Sequence, residues 1–278
     1  LKDQAGNDTT YENISGVSLM SSDGTSHEFV KCVHSKGAVP YGKELEYSWE
    51  ELSAKCKEGD FSGINIGDYK TITLDGGEIV VCEVAGIDTY YNRSYEGYGH
   101  PLEQHHIDFI SRDCLTTIDA VNYNDGYEDP ETDDWVMSNN GTSAQHNPFM
   151  ASRLYQTLNN TTDGLITKLP ADLRNIIINK EAYMESRYSS SALLDKNSGI
   201  IECKMGPLWL PTEFEVWGRH TYSEAGPNGV NCGCNIQYPI FKNGVQHIVK
   251  GYGNAGGSSD WWTASAAVGR SNGFCCVY

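Results

Sequence analysis

The chain has 278 residues, enough for one large domain or for a large domain with a small companion. Its net charge of −17 repels phosphate backbones and argues against a nucleic-acid partner, while favouring solubility. No apolar run is long enough to cross a bilayer and the first residues lack a signal-peptide pattern, so membrane insertion is not expected.

Glycine (29) and tyrosine (17) are abundant and long helical patterns are scarce, which predicts a strand- and loop-rich chain. Residues 1–45 read as a small β-rich unit for anchoring or oligomerisation, and residues 46–278 as the main domain. In the small unit, Tyr11 to Met20 and His27 to Val33 are predicted strands around a Ser22-Asp23-Gly24 turn. Gly37 to Lys43, with Pro40 and two glycines, reads as a linker.

Ser48 and Glu51 have capping-box spacing, so a short helix is predicted to start there and to stop at Gly59. A hairpin follows: Tyr69 to Leu74, the turn Asp75-Gly76-Gly77, then Glu78 to Ile87. His105 to Ile110 is another predicted strand, and residues 119–147 are polar and irregular. Asn147 can cap a helix with Pro148 in its first turn, running to about Leu158 with Leu154, Tyr155 and Leu158 inward. Pro170 to Ile177 is expected to mix a helical turn with the start of a strand. The apolar Leu208-Trp209-Leu210 precedes a Pro211 to Gly218 turn region, and the remainder reads as glycine-rich loop with short strands.

The nine cysteines are scattered, and are read as small buried hydrophobes of a reducing cell in preference to disulfides. Asn-x-Ser/Thr sequons at Asn7, Asn13, Asn92, Asn140, Asn159 and Asn160 are expected by chance in so polar a chain. His106 and Asp108 would share a strand face beside His105, but two ligands do not make a metal site. Cys232 and Cys234 lack the second pair a zinc site needs. The acidic run Asn122 to Asp134 does not space its oxygens as a calcium loop does. Glu213 and Glu215 flank Phe214 and read as turn residues in preference to an acid/base pair. There is no nucleophile elbow, phosphate loop or dinucleotide fingerprint. No catalytic residue, metal or cofactor is therefore assigned, and the chain is not expected to be an enzyme.

Trp209, Trp217, Trp261 and Trp262 are expected in the core. The loops near them are rich in Tyr, Ser, Gly and Asn, the residues of adaptable binding surfaces.

From about Phe61 onward the ordered motifs resemble a domain common in phages and prophages of gut bacteria, itself similar to C-type-lectin-fold proteins. The matching pieces are residues 63–88, HIDFISRDCL (106–115), SRLYQTLNN (152–160) with LPADLRNII (169–177), LWLPTEFEVWG (208–218) with HTYSEAG (220–226), and WWTASAAVGRSNGFCCVY (261–278). The resemblance implies an α+β, C-type-lectin-like domain over 46–278, preceded by the small β-rich unit. Some relatives are variable proteins of diversity-generating retroelements, rewritten near this C-terminal segment. By that likeness Trp217, Trp261, Trp262, Phe274 and Val277 are scaffold. The displayed, ligand-binding set is Tyr252, Asn254, Ser258, Ser259, Asp260, Thr263, Ser265, Val268, Arg270, Ser271 and Asn272. The likeness also implies a further polar hairpin after Tyr278. The motifs of calcium-dependent sugar-binding lectins are absent, so such binding is not implied.

The implied role is receptor binding or ligand display on a virion tail or capsid fibre made in the bacterial cytoplasm, with a bacterial cell surface as the alternative location. Its partners would be a host-surface protein or glycan, and other virion proteins held through the N-terminal unit, with a homotrimer as one assembly. A purely structural capsid-decoration protein and a cell-wall- or glycan-acting enzyme are the competing classes.

Overall fold

A computed structural model describes residues 17–20, 26–29, 42–93, 102–117, 147–187, 194, 198–224, 236–242, 247–251, 258–269 and 273–277. The chain divides into two compact units, Leu1–Val39 and Pro40–Tyr278, and the break lies inside the glycine- and proline-containing stretch predicted as a linker. In the first unit β1 (Val17–Met20) and β2 (Ser26–Phe29) pair antiparallel, with Val17 opposite Phe29 and Met20 opposite Ser26. The Ser22-Asp23-Gly24 turn and the outer ends of both predicted strands lie outside the described residues.

The second unit is mixed α/β, with short helices and several small antiparallel sheets. Helix α1 (Trp49–Glu58) starts where Ser48 and Glu51 cap each other reciprocally. It stops at Gly59, whose left-handed φ of 66° satisfies the last carbonyls. Its inner face buries Trp49 and Leu52. The predicted hairpin is present as β3 (Tyr69–Thr73) and β4 (Ile79–Ile87), joined through Gly76 and Gly77 at positive φ. Strand β5 (Ile107–Ser111) completes an antiparallel three-stranded sheet in the order β3-β4-β5.

A bulge between Val84 and Gly86 bends β4 where it meets β5. A Cβ on Gly86 would fall 2.0 Å from Thr89 Oγ1 and 3.1 Å from Asp108 Oδ2, so glycine is required by close approach. Gly86→Ala should therefore destabilise the protein by about 1–3 kcal/mol, measured by urea unfolding. An unchanged midpoint would mean that the bulge yields at no cost.

Where one helix was predicted from Pro148 to about Leu158, there are two, α2 (Pro148–Ala151) and α3 (Arg153–Asn159). Ser152 is extended (ψ 160°) and its Oγ accepts from Tyr155 N, so it ends one helix and caps the next. Leu154 and Leu158 are buried and Tyr155 half-buried. Two short helices follow, α4 (Leu165–Lys168) and α5 (Ala171–Arg174). The strand expected near Ile177 begins only at Lys180, as β6 (Lys180–Ser186) paired with β7 (Gly199–Gly206).

Helix α6 (Glu213–Trp217) is capped by Thr212 and stopped by Gly218. Then come α7 (Pro239–Lys242), the paired β8 (Lys250–Gly251) and β9 (Ser258–Ser259), and the hairpin β10 (Trp261–Ala266) with β11 (Phe274–Val277). One core joins Leu52, Val84, Phe149, Met184, Met205, Val216, Ile240 and Phe274. Helices α2 and α6 pack on β10, and α7 packs on β4. Among the described residues no helix is long and apolar enough to cross a membrane.

Candidate functional site

The C-terminal hairpin is held from several sides. Trp261 (8% exposed), Phe274 and Val277 are buried, and Trp217 and Trp262 are half-buried. The Trp261 indole N–H donates to Ile248 O at 2.8 Å and its ring stacks on Phe241.

Thr263 and Ser265, expected on the displayed surface, are enclosed instead: Thr263 is 0% and Ser265 2% exposed. The Thr263 hydroxyl donates to Cys275 O, and Ser265 Oγ accepts from Glu213 N at 2.9 Å. The physical reason is that α2 and α6 pack on β10, leaving no solvent face for alternation to assign. Asp260 and Val268 are exposed. Ser258 and Ser259 pair with β8 through their backbones. Tyr252, Asn254, Arg270, Ser271 and Asn272 lie outside the described residues.

Two buried carboxylates support the end of this hairpin. Glu185 Oε1 accepts from Ala266 N at 2.8 Å, and its other oxygen accepts from Arg187 Nε at 2.9 Å. The Arg187 guanidinium, 0% exposed, also donates to the Ala266 and Ala267 carbonyls. Burial raises the Glu185 carboxyl above its ordinary range, and the Arg187 charge and the Ala266 N–H only partly oppose it.

Glu213, likewise buried, accepts from the backbone N–H of Thr221, Tyr222 and Ser223 and from the Ser223 hydroxyl. This carboxylate therefore sets the shape of the 221–223 loop. Val268 N donates to Tyr222 O at 2.7 Å, joining that loop to the hairpin. Tyr222 and Val268 are both largely exposed, at 57% and 51%. The sequence singled out Val268 but missed Tyr222; the HTYSEAG motif and the adjacent buried glutamate were the available signals.

A separate buried polar cluster lies where β6, α6 and the β4–β5 connection meet. Glu215 closes its own capping box with Thr212, and its Oε1 also accepts from Lys180 Nζ at 2.5 Å and from the Tyr90 hydroxyl. Three rings surround the ammonium: Trp209 at 3.7 Å, Tyr90 at 4.9 Å and Tyr238 at 5.2 Å. Asp108 lies beside Thr89 and Tyr238, and burial pushes both its carboxyl and the Tyr238 phenol upward. Glu213 and Glu215, read from the sequence as turn residues, lie instead in the first turn of α6, where both are buried and hold neighbouring backbone.

His105 Nδ1 is 2.7 Å from Asp88 Oδ2 and its ring stacks on Tyr91. His106 donates through Nδ1 to Gln104 O and accepts at Nε2 from Tyr90 N, so both ring nitrogens are engaged. Among the described residues no three metal-ligating side chains converge. Cys232, Cys234 and the acidic run lie outside the described residues, and Cys56, Cys82, Cys275 and Cys276 are free thiols.

Beside β5 opens a cavity of about 950 Å³. Ile72 and Val80 of the sheet line it, with Leu74 just after β3, Leu154 and Leu158 of α3, Leu169 just after α4, and Trp209, Trp261 and Trp262. No protein-family model, curated protein or solved structure matches the chain.

Proposed function

We propose that the chain is a ligand-display protein whose C-terminal hairpin and 221–223 loop form one rigid binding surface. One observation carries this reading: two loops remote in sequence are joined at Val268 N and Tyr222 O, and each presents an exposed apolar side chain. Both rest on enclosed charged groups, Glu213 on one side and the Glu185–Arg187 pair on the other. Fully satisfied buried networks fix one conformation of what they touch. A preformed loop surface carrying an exposed tyrosine suits recognition, because little ordering remains to be done on binding.

The motif resemblance extends this proposal to a virion receptor-binding protein of a phage or prophage, on a C-type-lectin-like fold. The N-terminal unit would join other virion proteins, and the target would be a host-surface protein or glycan. Many copies on one particle would turn weak contacts into useful avidity. The small antiparallel sheets and short helices are compatible with the coarser α+β class to which such a fold belongs.

The test is binding of the labelled protein to intact gut bacteria by flow cytometry. Tyr222→Ala and Val268→Asp should each lower binding at least about tenfold, the loss of one well-placed anchor. Both should leave the thermal midpoint nearly unchanged, because the side chains are exposed. Binding that ignores both changes would remove this surface from the proposal. Sequencing the gene's 3′ end across a population decides retroelement diversification separately, by substitutions confined to template adenines of a nearby repeat.

A further inference from the structure

We propose that Lys250 is a carbonyl-reactive lysine that captures an apolar aldehyde in the cavity beside β5. The inference is independent of the display surface and of the lectin-like reading.

Lys250 is 4% exposed and forms part of the cavity wall beside Cys114, Trp261 and Trp262. Among the described residues its ammonium meets no carboxylate within 4.0 Å, although the charges of Glu83 and Asp113 act on it. It donates instead to two main-chain carbonyls, Ser111 O and, at 3.4 Å, Arg112 O. The Trp261 ring lies 5.3 Å away. The buried Glu83, whose charge acts on Lys250, is engaged by Arg112 at 2.9 Å and by His247 at 3.3 Å. A buried ammonium without a counter-ion loses hydration that two carbonyls only partly replace.

Burial lowers Lys250 to about 8, opposed by Glu83, Cys114 and Asp113 and assisted by Arg112. At pH 7 about a tenth of such amines are neutral, against roughly one in a few thousand exposed lysines. A neutral amine in an apolar pocket is the nucleophile that imine chemistry requires.

The step balances without a co-reactant. The Nζ lone pair adds to the aldehyde carbon, and a proton moves to the carbonyl oxygen. Water then leaves as the carbon–nitrogen double bond forms, and hydrolysis reverses the sequence. The ligand class follows from the walls. Apolar residues such as Val80, Leu158 and Leu169 surround the body, so an apolar aldehyde fits better than a hydrophilic one.

The experiment treats the purified protein with benzaldehyde at pH 7, in parallel with glycolaldehyde as a small hydrophilic aldehyde. Sodium cyanoborohydride reduces any imine to a stable secondary amine, and peptide mass spectrometry reads each lysine. Lys250 should be labelled by benzaldehyde at least about tenfold faster than the exposed Lys43 and Lys242, since the apolar walls hold the aldehyde beside its amine. Glycolaldehyde should give a smaller preference, and Lys250→Arg should lose the fast phase. Labelling of Lys250 no faster than of Lys43 and Lys242 would overturn the proposal, leaving a structural clamp on the Ser111 and Arg112 carbonyls. An equal preference with both aldehydes would overturn the apolar ligand class. The wild-type comparison decides the matter even if the variant fails to fold.

Discussion

Lys180→Met is expected to lower the unfolding free energy by about 3–5 kcal/mol, the cost of leaving one partner of a buried ion pair alone. Glu215 is 0% exposed, and Lys180 is the only cation within 4.0 Å of it among the described residues. The Tyr90 hydroxyl and Thr212 N–H would remain as donors, but neither carries charge. Methionine keeps most of the stem volume among Trp209, Tyr90 and Tyr238, so the loss reports the charge more than a cavity. Adding Glu215→Gln removes the stranded charge and should recover part of the deficit. Denaturant unfolding of the wild type, both single variants and the double variant measures this coupling. A cost below about 1 kcal/mol for Lys180→Met would mean that water reaches Glu215 and the pair is not enclosed.

The two capping boxes show which part of this cluster was legible. Ser48 with Glu51, and Thr212 with Glu215, act over three residues, so local sequence carries them. The other contacts of Glu215 do not: Lys180 is 35 residues away and Tyr90 is 125 away. A glutamate in a turn gives no sign of which distant cation will meet it. Ser152 fails for a different reason. Leu154 and Leu158 fit one continuous helix by period, but the Ser152 hydroxyl takes backbone bonds and breaks it.

The same limit applies to the displayed surface. Thr263 and Ser265 look like solvent-facing residues because they are small and polar. They are enclosed because their hydroxyls bond Cys275 O and Glu213 N, and because the strand is covered by helices from distant parts of the chain. Trp261 and Phe274 are easier to read, since large rings beside short loops seldom remain in water. Tyr222 reverses that rule. Its exposure follows from Glu213 holding its backbone, a restraint set nine residues away.

Arg187→Met should act on that surface from beneath, with a stability loss also of about 3–5 kcal/mol. The guanidinium is enclosed and binds Glu185, Ala266 O and Ala267 O together, so its removal strands one carboxylate and two carbonyls. The Ala267 and Val268 amides, bonded to Gly273 O and Tyr222 O, should exchange with solvent faster than in the wild type. Acid dependence identifies where the charge is left. Burial already raises the folded Glu185 carboxyl above its ordinary value of 4.5, against the opposing Arg187. Between 4.5 and the folded value the native state holds more protons than the unfolded chain, so this group's contribution to stability grows as pH falls. Without Arg187 the folded value rises further, and the window extends toward neutrality. The deficit of Arg187→Met should therefore be smaller at pH 5 than at pH 7.5, measured as the difference in unfolding free energy from the wild type. A deficit that is constant, or that grows in acid, would show that Glu185 does not carry the unpaired charge.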